Sequence, residues 1–296
     1  MIKVAVLGST GMLGSSITRV LENESVTVYE FNRSGISITK KNHARKINAI
    51  TDFDFSEVFS ELKIDYIVNC IGMIKQVINP DEKSSVDLAY KINSNFPLKL
   101  NIYAKSMGIP VIQIGTDCVY SGKEGLYSED QPHDPSDIYG LTKELGEQSS
   151  TCSMILRCSI IGKELSSANS LLSWVLSNPN NSSINGYTNH FWNGVTTQHF
   201  SQIVYGIIKS SSFKHGIFHL VPKNIVTKYD LVNSIAKHFD RSDLRIRKFE
   251  AESMVNRSLI TNNLEQNLSF WQNGGYNEIP SIEEMVSSYA VWIKTI

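Results

Sequence analysis

The chain has 296 residues, 41% hydrophobic and 19% charged, with 18 Gly, 8 Pro and a formal net charge of −1. That is enough chain for a sizeable core, and the balance excludes extended disorder and low-complexity architecture. With no excess of Lys and Arg to meet a polyanion, neither nucleic acid nor a membrane surface is expected as a partner. Cys70, Cys118, Cys152 and Cys158 lack paired metal-ligand spacing and are too few for a disulfide framework, so no metal site is expected and the thiols are read as reduced. The apolar run Met1–Leu7 stops at Gly8, too short for a secretory or membrane-spanning segment, and the expected location is cytoplasmic.

In chain order, β-branched runs alternate with amphipathic stretches. Strands are expected at Lys3–Leu7, Val26–Phe31, Tyr66–Cys70, Val111–Gly115 and Met154–Ile160, each too continuously apolar to be half exposed. Helices are expected over Gly11–Glu22, Ser56–Lys63 and Val86–Met107, the last broken near Pro97. The alternation predicts an α/β fold, a Rossmann-type doubly wound parallel sheet, with a dinucleotide-binding domain over residues 1–160. Residues 161–296, where the alternation lapses, are expected to form a smaller substrate-binding lobe, part of which packs back on the sheet. That half carries an Asn/Ser-rich surface loop at Ser177–Asn185, a strand at Gly216–Val221, and two helices introduced by capping boxes at Thr227-x-x-Asp230 and Ser281-x-x-Glu284, the first running from Lys228 to Phe239.

The first strand runs directly into Gly8-Ser-Thr10-Gly11-Met12-Leu13-Gly14 and then a helix. A pyrophosphate needs backbone N–H groups and a positive helix end at close range, and glycines let the backbone approach. A NAD-type site places an acid at the end of the second strand to accept from the ribose 2′-hydroxyl. Here that place reads Asn32-Arg33-Ser34, and a guanidinium pairs instead with a 2′-phosphate. NADPH is therefore the expected cofactor, with NADH second. The alternative leaves Arg33 as a solvated loop charge with Glu30 turned inward.

Tyr139 and Lys143 are four apart on a helix and share a face. A phenol is a poor acid–base at neutrality, and a neighbouring ammonium is expected to bring its pKa down toward the working range. Thr116 follows the strand ending at Gly115, at the carboxyl edge where open α/β sheets bind ligands, so its hydroxyl is placed to hold a carbonyl while Tyr139 supplies a proton.

Gly8-Ser-Thr-Gly-Met-Leu-Gly14, Asn69-Cys-Ile-Gly72, Gly115-Thr-Asp-Cys-Val-Tyr-Ser-Gly122, Tyr139-Gly-Leu-Thr-Lys143 and Leu156-Arg-Cys-Ser159 together resemble the extended short-chain dehydrogenase/reductases. Thr116-Asp117, Gly146-Glu147 and Asn193-Gly-Val-Thr-Thr197 make the dTDP-4-dehydrorhamnose reductase group the nearest likeness, over nearly the whole chain. The resemblance implies an oxidoreductase of deoxysugar and polysaccharide biosynthesis, reducing the C4 keto group of a nucleotide-activated 4-keto-6-deoxyhexose; the oligomeric state stays open, with a homodimer as one candidate. It implies Thr116, Tyr139 and Lys143 as the catalytic set. Cys70, Ile71 and Gly72 would join the glycine loop and Asn32–Ser34 around the cofactor. Met73, Lys75, Asn93, Asp117, Cys118, Trp192, Asn193 and Thr196 would face the substrate, and Arg257 either its diphosphate or solvent. Asn69 is assigned to support of its strand end, and Arg157, on an interior strand, to pairing with a carboxylate.

Two features depart from the group. Cys118 stands where those reductases carry a Tyr, and Met73-Ile-Lys75-Gln76 replaces their usual turn, so a different sugar pocket is expected. Dehydratases of the superfamily resemble one another in Thr-Asp-Glu, and a thiol at the Glu position is a poor donor to a leaving hydroxyl. An epimerase or epimerase-reductase using Cys118 as a base is one alternative, but its expected histidine is absent from Gly162–Leu176, and His190 and His199 come later. A non-catalytic NADP-binding regulatory subunit is the other, and the intact Thr116, Tyr139 and Lys143 set argues for an enzyme.

Overall fold

Strands with unbroken apolar runs can be stable only with both faces covered, and the first strand sets the pattern: Val4, Ala5, Val6 and Leu7 are all completely buried. The computed structural model describes residues 1–296 other than 40, 41, 52, 53, 60, 149–151, 166, 167 and 296. The first part runs β1 (Ile2–Leu7), α1 (Met12–Glu22), β2 (Val26–Asn32), β3 (His43–Lys46), α2 (Phe55–Phe59), β4 (Tyr66–Asn69), α3 (Lys83–Tyr90), α4 (Phe96–Met107), β5 (Val111–Ile114), α5 (Ile138–Gln148) and β6 (Ser153–Arg157). The remainder runs β7 (Ile160–Ile161), α6 (Leu171–Ser177), β8 (Ser183–Tyr187), β9 (His190–Trp192), β10 (Val195–Thr196), α7 (Thr197–Lys209), β11 (Gly216–His219), β12 (Val226–Thr227), α8 (Lys228–His238), β13 (Arg245–Phe249), β14 (Val255–Asn256), α9 (Leu264–Asn273) and α10 (Ile282–Trp292).

The main sheet has seven strands in the order β11-β6-β5-β4-β1-β2-β3, and every neighbouring pair in it is parallel. Its order reverses between β1 and β4, which opens a crevice at the carboxyl ends of the strands. The register aligns those ends: Leu7 pairs with Phe31 and Asn69, Asn69 with Gln113, and Ile114 with Leu156. One face carries a core that includes Leu13, Ile17, Phe200, Ile203 and Trp271. The other carries Phe31, Phe55, Phe59, Phe96 and Leu100.

From beyond residue 160, β11 extends the main sheet and α7 lies on α1, where Ser201 Oγ donates to Ser16 Oγ at 3.1 Å. Among the described residues three small sheets stand apart from it: the pair β10-β7, and β12-β9-β14 and β13-β8, which have α8 against them. Both capping boxes form as expected, at Thr227 with Asp230 and at Ser281 with Glu284.

Four local expectations need correction. The edge strand β3 was missed because His43-Ala-Arg-Lys46 has no apolar pattern. The helix expected over Ser56–Lys63 is observed as Phe55–Phe59, and residue 60 lies outside the described residues. The Ser177–Asn185 loop gives way to β8 at Ser183, whose Ile184 is buried. The long helix does not break at Pro97, which sits in the first turn of α4, where its missing N–H costs nothing. Instead a π-turn at Lys91–Asn95 joins α3 to α4.

Candidate active site

The phosphate loop is closed by backbone contacts. Gly8 has φ +82°, and the N–H groups of Gly8 and Ser9 both donate to Phe31 O, at 2.7 and 3.2 Å. A Cβ on Gly14 would lie 2.1 Å from Gly8 O, so the loop and helix can cross only at a glycine. α1 begins at Gly11 with no side-chain cap and no acid in its first turn. Its first amides and its positive pole are thus left to an anion. This cradle fits the pyrophosphate of a dinucleotide. Thr10 is exposed on it, Met12 half-buried and Leu13 buried beneath.

At the end of β2, Glu30 does turn inward. It is fully buried and accepts from Ser37 Oγ at 2.6 Å and Ile38 N at 3.1 Å, so its carboxylate is engaged by the following loop. Asn32 is also engaged: Oδ1 accepts from the N–H groups of Ser34 and Gly35 and from Ser34 Oγ, while Nδ2 donates to Ser9 Oγ and Ile36 O. Its side chain shapes this loop rather than reaching outward. Arg33 is exposed and makes no ion pair among the described residues, leaving a guanidinium as the charge at this corner.

Between the two corners, the Cys70–Gly72 turn leaves β4. Asn69 Oδ1 accepts from Ile71 N at 3.1 Å, the support role expected of it. Asn93, on the π-turn, grips the next residue from both sides: Oδ1 accepts from Met73 N at 2.8 Å and Nδ2 donates to Met73 O at 3.0 Å. It also donates to Thr142 Oγ1 at 3.0 Å. Asn93 therefore ties the Met73 loop to α5, with no polar atom left over for a substrate.

At the end of β5, Tyr139 hydrogen-bonds Thr116 and Lys143 reaches the carbonyl of Ile114. Burial pushes the Tyr139 phenol well above its ordinary range, with Cys118, Asp117 and Glu147 adding to the rise and a hydrogen bond with Thr116 opposing it. The expected lowering by Lys143 does not occur. Its Nζ donates to Ile114 O at 2.9 Å, and burial lowers the ammonium itself against the pull of Glu147, Cys70 and Cys158. Tyr139 is accordingly a neutral phenol here, the form that can donate a proton.

Opposite them, burial also raises the Asp117 carboxyl, against Arg257 and Lys228. Burial, with Asp117 beside it, pushes the Cys118 thiol up to about 12, so it is neither thiolate nor ready base. Lys75 Nζ pairs with Asp137 Oδ2 at 2.7 Å, two residues before Tyr139. Arg257 Nε donates to Tyr120 O at 2.8 Å and Nη2 reaches Ser136 Oγ at 3.3 Å, which brings the guanidinium to the same rim.

Two expected substrate contacts are structural instead. Asn193 bonds both backbone groups of Leu259, at 2.6 and 2.9 Å, and Thr196 is completely buried as the N-cap of α7. Their polar atoms hold chain segments together rather than facing the cleft. Trp192 is buried, its indole donating to Ser159 Oγ at 2.8 Å.

Sequence reasoning missed Lys228. It is half-buried, its Nζ 5.5 Å from the Trp192 ring centroid and facing Asp117 and Cys118, with no salt bridge among the described residues. It occupies the first position of α8, the end of a helix where a cation is disfavoured, and that misplacement was the available signal. Histidine is not the missing base: His199 is buried behind Thr196, and His190 faces Ser253 O at 3.3 Å.

A family model described as the RmlD substrate binding domain matches residues 2–259. A dTDP-4-dehydrorhamnose reductase of Streptomyces griseus is 29% identical over 144 residues, 48% of this chain and 43% of that protein. The spore coat polysaccharide biosynthesis protein SpsK of Bacillus subtilis (strain 168) is 32% identical over 149 residues, 50% of this chain and 48% of its own. The chain thus spans about half the length of these curated relatives. Among solved structures, the dTDP-4-dehydrorhamnose reductase of Bacillus anthracis str. Ames in complex with NADP superposes with a TM-score of 0.77 at 21% identity, over 100% of both chains, a likeness of fold. Among the described residues, no helix is long and apolar enough to cross a membrane.

Proposed function

The chain belongs to the RmlD substrate binding domain family, and on that premise we propose that it is an NADPH-dependent reductase of the C4 keto group of a nucleotide-activated 4-keto-6-deoxyhexose, acting in deoxysugar and surface-polysaccharide biosynthesis. The observation that carries this reading is the meeting of Thr116, Tyr139 and Lys143 on the same sheet edge as the uncapped, glycine-lined start of α1. Gly8–Gly14 would hold the pyrophosphate, Cys70–Gly72 would line the cofactor, and Arg33 would meet a 2′-phosphate. Bound NADPH supplies a hydride. Thr116 Oγ1 holds the sugar carbonyl, Tyr139 gives its proton to the oxygen as charge develops there, and Lys143, held by the Ile114 carbonyl, is left to hydrogen-bond the nicotinamide ribose.

Asp117 and Cys118 line the sugar side. Lys228 and Arg257 supply positive charge for the diphosphate. The neutral Cys118 thiol counts against the epimerase alternative. The free thiols of Cys70, Cys118 and Cys158 suit a cytoplasmic location. Leu98 and Ile102, one turn apart on the exposed side of α4, suit a homodimer.

The direct test supplies purified protein with NADPH and dTDP-, UDP- and GDP-linked 4-keto-6-deoxy sugars. Stoichiometric NADPH oxidation with formation of a 4-hydroxy product is expected with one of them. Tight NADPH binding without oxidation by any would replace the enzyme with the regulatory-subunit alternative.

A further inference from the structure

Behind Thr116 lies a buried charged cluster that the chemistry above leaves unused. Glu147 and Arg157 have fully buried side chains joined at 2.6 Å, from Nη2 to Oε2. The second carboxylate oxygen, Oε1, accepts the N–H of Thr116 at 3.3 Å. Arg157 also donates Nη1 to Tyr120 Oη at 2.8 Å and meets His219 Nε2 at 2.9 Å and His133 Nε2 at 3.0 Å. Each of these rings turns its Nδ1 to an acceptor, His219 to Ile260 O at 2.7 Å and His133 to Glu144 Oε1 at 3.2 Å. Both therefore present an Nε2 lone pair to the guanidinium. One side chain thus ties the ends of β5 and β11 to α5 and to the segment that follows Arg257.

The strand end is cut to fit this pair. A Cβ on Gly115 would stand 2.7 Å from Glu147 Oε1 and 3.0 Å from Arg157 Cα, so a side chain there would push the carboxylate off the Thr116 amide. A salt bridge buried this deeply is a weak stabilising device, because the desolvation of both ions offsets their attraction. Glu147 bears on Tyr139 and Lys143 through its charge, and its hydrogen bond to a proposed reacting residue is the one from the Thr116 N–H.

We propose that Glu147, oriented by Arg157, is a positioning residue for carbonyl reduction: by accepting the Thr116 amide it fixes the hydroxyl that meets the substrate oxygen. The inference rests on the reductase reading above. Without the anchor the strand end can shift, and a displacement on the order of 1 Å lowers turnover about a hundredfold.

The test compares Glu147→Gln with Glu147→Met in the full-length protein. Gln has one oxygen where Glu has two, so Arg157→Met is made in both proteins: the amide oxygen is then left to the Thr116 N–H in the Gln protein, and the Met protein has none to offer. At NADPH dissociation constants within about threefold of wild type, the Met variant is expected to have a kcat about a hundredfold below the Gln variant, with KM for the sugar nucleotide little changed. Amide hydrogen exchange at Thr116 gives a second readout that needs no turnover: slow in wild type and Gln, faster in Met. Removing both charges at similar volume spares either protein an unpaired buried guanidinium. Equal kcat and equal Thr116 protection in the Gln and Met proteins would overturn the proposal. A wild-type protein that reduces no 4-keto sugar nucleotide would instead defeat the reductase reading, and the exchange rates alone would then decide whether Glu147 anchors Thr116.

Discussion

On the cofactor side of the cleft the working groups are backbone amides within one short run, Gly8–Gly14, and the chain needs little beyond small residues to expose them. On the proposed substrate side they would be side chains from Met73–Lys75, Asp117–Cys118, Lys228 and Arg257, brought together by strands and helices distant in sequence. The first kind of site is local and tolerates change elsewhere. The second depends on the packing of every element that contributes, and it is where members of one fold can diverge in substrate.

The sharpest way to separate the two sides is to remove the proton donor that lies between them. Tyr139→Phe should lower kcat by about 10²–10⁴, the usual worth of general acid catalysis, while NADPH affinity stays within about twofold; single-turnover kinetics and a fluorescence titration check both. A variant that keeps more than about a tenth of wild-type turnover, with chemistry rate-limiting, would take Tyr139 out of the donor role.

Lys228→Met should strike the substrate side alone. A charge-assisted hydrogen bond is worth about 1.5–3 kcal/mol, so KM for the sugar nucleotide should rise roughly ten- to a hundredfold with kcat nearly kept. The pH dependence follows from the same residue. Burial pushes the ammonium down to about 8, against Asp117 and Cys118, so its charge is lost as pH rises through that value. Wild-type KM should therefore climb above about pH 8 and the variant's should not; parallel pH profiles in the two proteins would remove Lys228 from the site.

Gly14→Ala probes the cofactor side. Overpacking against Gly8 O should cost about 1–3 kcal/mol in stability, seen as a lower Tm, and NADPH affinity should fall with it while sugar-nucleotide binding in titration changes less. Cys118→Ser is the smallest effect expected: with a neutral thiol as a wall of the pocket, kcat should stay within about threefold and no solvent deuterium should enter the sugar carbons. Deuterium incorporation in wild type that is lost in the Ser variant would restore the epimerase alternative.

What the sequence made legible follows the same division. The glycine loop, Tyr139 with Lys143, and Thr116 at a strand end were readable because fixed spacing on one element dictates their geometry. Asn93, Asn193 and Thr196 were misassigned to the substrate because a polar residue in a motif looks the same whether it faces a ligand or clamps a neighbouring chain; only their partners, Met73, Leu259 and His199, tell the difference. The Lys143 effect on Tyr139 was misjudged because four-residue spacing gives a shared face and not the direction of a flexible ammonium, which the Ile114 carbonyl captures. His133 and His219 are 86 positions apart in the chain and meet at Arg157 only through the folded sheet.

The π-turn at Lys91–Asn95 makes helix length itself a functional variable. A π-turn is in effect one residue inserted into an α-helix, and deleting one would leave Lys83 to Met107 as a single α-helix with Pro97 in its interior, where the ring removes a hydrogen bond and bends the helix. It would also rotate the two ends by about 100° relative to each other. With Phe96, Leu100 and Ala104 held in the core, Asn93 would swing away from Met73 and Thr142. Loss of a single position here would unfasten the Met73 loop.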